Sequence, residues 1–306
     1  MLIYLLVLLA LAIVFGGAYY AYRIAFYSPT KGREIIPSTQ GSQYDPYRQE
    51  MKRLFHQLQD RPFEFVTITS HDGLTLSGRY YHTADGAPLD IGFHGYRSSP
   101  LTDFTGGSDL SIRMGHNVLL IDHRAHGMSE GRTITFGIKE RRDLLQWVKY
   151  AVERFGEDVK IVRYGISMGG ATVLMASELE LPENVKGIIA DCPYSSPLDI
   201  ILNVGKGMPI PNCLIAPFAR LGARIYGGFD LEETSAEQAV QKAKVPILII
   251  HGEADRLVPC AMSDIADQNP DRITRVTFPN ANHGLSYLED TARYEQIVVD
   301  FLNRIL

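Results

Sequence analysis

Arg163-Tyr164-Gly165-Ile166-Ser167-Met168-Gly169-Gly170 decides how the rest of the chain is read. A β-type run over 159–164 leads into it, and residues 170–178 behind it have helical composition. Between a strand and a helix, a G-x-S-x-G pentapeptide forms a sharp turn that presents its serine as a nucleophile. Such a turn strains the serine backbone, and side chains at the flanking glycines would collide with the neighbouring strand or helix. The same letters also suit a glycine-rich turn with an incidental serine. An acid, a base and two oxyanion donors elsewhere in the chain would decide between the two.

A serine hydroxyl needs a base to take its proton and a third group to orient that base. Behind an elbow of this kind they follow in the order acid, then histidine. Ile249-Ile250-His251-Gly252-Glu253-Ala254-Asp255-Arg256-Leu257-Val258-Pro259 supplies two carboxylates just beyond an apolar strand. Asp255 lies where the acid would sit, Glu253 competes with it, and a turn or helix-cap role is the plainer use of Asp255. Phe278-Pro279-Asn280-Ala281-Asn282-His283-Gly284 then places His283 in a Gly/Asn-rich loop after the last expected strand. The oxyanion pocket needs two backbone N–H groups. Met168, at the start of its helix, supplies one. Tyr96, in the loop Phe93-His94-Gly95-Tyr96-Arg97, is expected to supply the other.

Outward from these loops the pattern is α/β. Apolar strand runs at 89–93, 116–121, 159–164, 185–190, 245–250 and 273–278 alternate with helical stretches, notably 109–114, 136–155 and 287–306. This predicts a mostly parallel sheet with helices on both faces. Ahead of it, residues 63–69 and 74–81 flank His71-Asp72-Gly73 and read as a β-hairpin. An amphipathic helix is expected over 47–58. Residues 194–241 are long for a connection between strands, and are expected to form a small, mostly helical cap over the carboxyl edge of the sheet.

Residues 1–22 carry no charged side chain and end in a tyrosine-rich stretch. Their length suits a bilayer core of ~30 Å, and the tyrosines suit its interface. A cleaved signal peptide would want a basic leader and a small-x-small site, which are missing. The expectation is a transmembrane anchor over 1–22, a linker over 23–45 and one catalytic domain over 46–306. Arg23, Lys31 and Arg33 follow the apolar run, so the positive-inside rule puts the domain in the cytoplasm. Three scattered cysteines form no disulfide framework.

The chain has 306 residues and a net charge of −5, so no basic field for nucleic acid is indicated. Its nine histidines form no H-E-x-x-H spacing, and its glycine pairs no Walker spacing. Neither a metal nor a cofactor is expected.

Taken together, His94-Gly95, Asp122-His123-Arg124-Ala125-His126-Gly127-Met128-Ser129, the elbow, the acid loop and the histidine loop resemble the α/β-hydrolase superfamily from about residue 63 to the end. The 122–129 segment resembles the family's Asp-x-Arg-Gly-His-Gly-x-Ser loop, with Ala125 in the glycine position. Asp191-Cys192-Pro193-Tyr194 resembles bacterial membrane-anchored members of the prolyl-oligopeptidase-like or serine-aminopeptidase-like branch. The resemblance favours Asp255 over Glu253, because the family's aspartate precedes x-x-Val-Pro. It assigns structural roles to His123 and His126. It implies the α/β-hydrolase fold and a serine hydrolase acting on a small acyl or ester substrate through Ser167, Asp255 and His283. Acyl transfer or peptidase action by the same groups, and a non-catalytic binding protein, are the alternatives.

Overall fold

The computed structural model describes residues 1–29 and 42–306. In chain order, α1 (Leu2–Ala21) runs into a wider π-helical turn (Tyr22–Phe26), and a 3-10 turn (Ser42–Tyr47) precedes α2 (Arg48–Gln59). The hairpin β1 (Glu64–Thr69) and β2 (Thr75–Tyr81) follows, then β3 (Leu89–Phe93), α3 (Pro100–Asp103), α4 (Thr105–Arg113) and β4 (Asn117–Ile121). Next come α5 (Glu140–Phe155), β5 (Ile161–Ile166), α6 (Met168–Met175) and β6 (Val185–Asp191). After these lie α7 (Pro197–Gly205), α8 (Asn212–Gly222), α9 (Ala236–Val240), β7 (Ile247–Gly252), β8 (Ile273–Phe278), α10 (Ser286–Glu289) and α11 (Thr291–Ile305).

The eight strands form one sheet in the order β1-β2-β4-β3-β5-β6-β7-β8. β1, β2 and β4 pair antiparallel, and the remaining pairs are parallel. β3, β4 and β7 are buried along their whole length, as strands covered on both faces must be. One face packs on Leu144 and Trp147 of α5 and Leu174 of α6, the other on Leu110 of α4 and Tyr294 and Phe301 of α11. From β3 the chain goes first to β4 on one side and then to β5 on the other. The loops after β3 and β5 therefore face each other across the point where strand order reverses, the usual ligand crevice of an open α/β sheet.

A buried ion network holds the loop after β4. Arg124 Nε and Nη2 each donate to Asp143 of α5 at 2.6 Å, and Nη1 and Nη2 donate to Asp72 at 2.9 and 3.0 Å. Arg124 and Asp143 are almost fully enclosed, so neither charge has water to fall back on. Arg124→Met is expected to cost about 3–5 kcal/mol in chemical denaturation, because it strands the Asp143 charge. Replacing Asp143 by Leu in that background should recover part of the loss, since the remaining Asp72 carboxylate is partly exposed to solvent and no fully buried charge is left.

Three expectations are revised. α5 starts at Glu140 and not at 136, because Phe136 and Gly137 take φ of 52° and 92°. The Glu140 carboxylate instead accepts the Thr135 and Gly137 N–H groups at 2.8 and 2.9 Å. The helix before β4 starts at Thr105, ahead of the expected 109, since Gly106 serves packing and not a turn: a Cβ there would sit 2.3 Å from the Tyr287 ring. Finally, part of the expected 23–45 linker (residues 30–41) lies outside the described residues, and the part before it is docked. Phe26 is fully buried, edge-on to Phe136 and Phe229, while Ile134 N and Ser28 N close a backbone seam with Phe26 O and Arg132 O at 2.7 and 2.9 Å. Its aromatic residues give this stretch more apolar area than a solvated linker carries.

The helix from Leu2 to Phe26 is long and apolar enough to cross a membrane, with mean hydropathy 2.5. Residues 2–16 are exposed, whereas from Gly17 onward it packs against α8. A Cβ on Gly17 would lie 2.5 Å from the Phe218 ring, and one on Gly222 would lie 2.6 Å from Ala18 O. Within residues 194–241, α8 packs on α1 and α7 packs on α8, while α9 returns to pack on α6.

Candidate active site

Gly165, one residue before the end of β5, lies against the start of α6, where a Cβ would meet Gly169 O at 2.2 Å. A Cβ on Gly169 would meet Phe93 O at 1.7 Å, so α6 reaches β3 only because this residue has no side chain. Between the two glycines Ser167 takes φ 56° and ψ −114°, a backbone conformation that L-residues rarely adopt. Its N–H donates to Asp191 O at 2.8 Å and its carbonyl accepts Ala171 N–H at 2.9 Å, so both neighbouring elements hold the turn.

The structure brings the three sequence-selected side chains together. His283 Nε2 lies 2.9 Å from Ser167 Oγ, and His283 Nδ1 lies 2.7 Å from Asp255 Oδ2. An ionised carboxylate only accepts, so Nδ1 carries the ring proton and Nε2 faces the hydroxyl as acceptor. Asp255 Oδ1 accepts Leu257 and Val258 N–H at 2.9 and 2.8 Å, which fixes the carboxylate in its turn. Burial alone would raise the Asp255 carboxyl, but hydrogen bonds from His251 and His283 outweigh it and hold the group well below the usual carboxylate range. Glu253 takes another partner, accepting from Thr277 Oγ1 at 2.5 Å.

Of the two selected residues, Tyr96 lines both cavities that Ser167 lines, and Met168 follows Ser167 directly. Met168 is the first residue of α6, so its N–H has no carbonyl to reach within the helix. In the loop after β3, Gly95 N donates to Asp103 Oδ2 at 2.7 Å and Arg97 N to His126 Nε2 at 3.0 Å. The Tyr96 N–H between them finds no acceptor among the described residues.

Sequence reasoning gave His126 a structural role, but missed His94 and Asp103 as holders of this loop. His94 Nδ1 donates to Gly95 O at 2.8 Å, and its Nε2 accepts His123 N–H at 3.2 Å. His126 Nδ1 donates to Arg124 O at 3.0 Å while Nε2 accepts from Arg97. Both rings must be neutral to accept, and burial pushes His94 well below the usual histidine range and His126 down to about 4. Asp103 carries no motif, and only its place at the end of a short helix facing the loop marks it.

Asp191, at the end of β6, is buried; its Oδ2 accepts from Tyr294 at 2.8 Å, and its Oδ1 has no partner among the described residues. Burial, partly offset by the Tyr294 hydroxyl, raises its carboxyl from 3.8 to about 6. Well below pH 4 the group is protonated in folded and unfolded chains alike. Well above pH 6 it is ionised in both, at the full cost of a buried charge. Asp191→Asn keeps the acceptor for Tyr294 but cannot ionise. Its stability relative to the parent should rise by about 3 kcal/mol between about pH 3 and about pH 7, read from urea midpoints. A difference independent of pH would refute this.

Two cavities meet at Ser167. One, of about 330 Å³, has a mixed polar and apolar lining and is bounded by Tyr44, Met51, Asp103, Tyr287 and His283. The other, of about 420 Å³, is walled by α1, α7 and α8 and is overwhelmingly apolar.

Comparison with known proteins follows the same lines. A model described as the alpha/beta hydrolase fold matches residues 94–212. The Pyrococcus furiosus esterase Pf2001 superposes with a TM-score of 0.68 at 22% identity, over 91% of this chain and 99% of the esterase. The chain has the α/β-hydrolase fold. Curated sequences similar to this chain include Bacillus subtilis YqkD, 24% identical over 97% of this chain and 95% of that protein, and Escherichia coli YfhR, 26% identical over 78% and 80%. Against the α/β-hydrolase pattern, Ala125 is the departure. It holds φ 63°, which explains the family's glycine, and its N–H still closes on Glu130 O at 2.8 Å.

Proposed function

We propose that this chain is a serine hydrolase that cleaves a carboxylic ester of an acyl, lipid-like substrate through an acyl-enzyme on Ser167. The observation that carries the reading is the unbroken line from Asp255 through His283 to the Ser167 hydroxyl, at 2.7 and 2.9 Å. Ser167 Oγ attacks the ester carbonyl as His283 Nε2 takes its proton, and Asp255 stabilises the imidazolium that forms. The Tyr96 and Met168 amides receive the developing oxyanion. Collapse breaks the ester C–O bond, and the alcohol leaves with the proton from His283. Water, deprotonated by the same ring, then releases the acid and restores the serine.

Residues 2–26 would anchor this domain to a membrane. Arg23 just within the helix end, stacked on Tyr27 at 4.0 Å, supports a cytoplasmic domain, as do three free cysteines. The test of the chemistry is a fluorophosphonate reporter on the full-length protein. Labelling should be complete on the parent and absent from Ser167→Ala. Label that persists in the variant, or that never attaches to the folded parent, defeats the reading.

A further inference from the structure

The apolar cavity beside Ser167 takes part of its wall from the helix that would enter the membrane. Tyr20, Ala21 and Ile24 line it on one side, Ile201 of α7 and Phe218 of α8 on the other, and Ser167 closes its inner end. At about 420 Å³ it falls in the range of small-molecule sites, which are mostly apolar with few polar groups. Its rim is apolar and exposed as well: Tyr20 is 56% exposed, Val204 49% and Leu214 42%. A rim of this kind in water would be a liability, whereas in a lipid interface it is at home.

Length sets where that rim sits. Only residues 2–16 of the apolar helix stand free of the domain. About 15 residues at 1.5 Å each reach ~22 Å, short of a ~30 Å hydrocarbon core. The turns from Gly17 onward continue the apolar surface through exposed Tyr19, Tyr20 and Ile24, tyrosines being interface residues, and α8 is packed against them. The cavity mouth between α1 and α8 therefore lies at the hydrocarbon boundary and not above the headgroups.

The same helix end is also tied to the oxyanion loop. Arg97 donates to Ile24 O and Tyr27 O at 2.7 and 3.0 Å, and the Tyr96 hydroxyl donates to Ala25 O at 2.8 Å. The free carbonyls at this helix end are thus satisfied by the side chains of the loop that presents the Tyr96 amide. The helix holds the site together as well as walling it.

We infer that the cavity between α1 and α7–α8 is the acyl-chain site for a long-chain ester drawn laterally from the bilayer, with the membrane helix as one wall. The cavity of mixed lining on the other side of Ser167 would then take the alcohol portion. This rests on Ser167 being the nucleophile.

The test uses the full-length protein in phospholipid vesicles and an alkyl fluorophosphonate with a long chain ending in a diazirine. Ser167 Oγ bonds to phosphorus as fluoride leaves. Light then expels nitrogen, and the carbene at the chain end inserts into whatever surrounds it. The expected result is phosphonylated Ser167 whose probe tail is cross-linked to residues 17–25 or 200–218. Cross-links to the Tyr44, Met51 or Leu288 side overturn the inference while leaving the serine chemistry standing. No phosphonylation of Ser167 defeats the hydrolase reading itself. As a second reading of the same point, Ala21→Trp and Ile201→Trp each narrow this cavity, and thermal unfolding reports whether each variant folds. Both should lower the dodecanoate-to-acetate ratio of kcat/KM for p-nitrophenyl esters at least tenfold. An unchanged ratio in both folded variants would also overturn it.

Discussion

Ser167→Ala is expected to lower kcat on an activated ester by on the order of 10⁴- to 10⁶-fold while leaving the melting temperature almost unchanged. The loss is large because serine and histidine act as one unit: without Oγ, His283 has no proton to take. The small stability effect follows from the backbone. Ser167 is held at φ 56° by Asp191 O on one side and Ala171 N on the other, and alanine must accept the same strain. Ser167→Gly separates the two quantities. It should be as inactive as the alanine variant yet more stable by about 1 kcal/mol, because glycine takes that conformation freely. Steady-state rates and thermal unfolding on the three proteins check this, and activity of the alanine variant within tenfold of the parent would remove Ser167 from the mechanism.

Asp255→Asn should cost about 10⁴-fold in kcat with little change in fold. The asparagine oxygen can keep the Leu257 and Val258 N–H bonds that now end on Asp255 Oδ1. Its amide nitrogen then faces His283 Nδ1 and donates to it. The ring must carry its proton on Nε2, where it can no longer accept from Ser167. Because the Asp255 carboxyl is held well below its usual range, its contribution to stability persists above that range and fades only as pH falls towards the lowered value. Loss of activity at mildly acidic pH is therefore not assigned to this group. Glu253→Gln, by contrast, should turn over substrate like the parent, since Glu253 bonds Thr277. The reverse pattern would exchange the two carboxylates.

Much of this was legible in the residues because it depends on local order. Gly165 and Gly169 announce the elbow, strand-end loops announce Asp255 and His283, and apolar runs announce the parallel strands. The fold class needed only that alternation. What stayed hidden depends on contacts between distant segments. Nothing in Asp103 or His94 tells that they fix the loop on either side of the Tyr96 amide. Nothing in the glycine pair at Gly106 tells that the Tyr287 ring packs against it. The segment behind Arg23 has the prolines and glycines of a linker farther on, and only the packing of Phe26 against Phe136 and Phe229 shows where the domain begins. Ala125 departs from the family pattern without loosening its loop, because the backbone bond to Glu130 holds it.

The seam that joins the first helix to the domain has a consequence for biosynthesis. Tyr22 bonds Thr133, 111 positions later, and Tyr226 bonds Phe15, 211 positions earlier. Chains are made from the amino end, and domains fold as their parts become available. The segment that leaves the ribosome first is thus among the last to find its partners. Until α8 has been synthesised, Gly17 and Ala18 have nothing to pack on, and the carbonyls of Ile24 and Ala25 wait for the loop after β3. The helix is in place before the wall it completes, so the last act of maturation is the closing of the enzyme onto a helix already laid down.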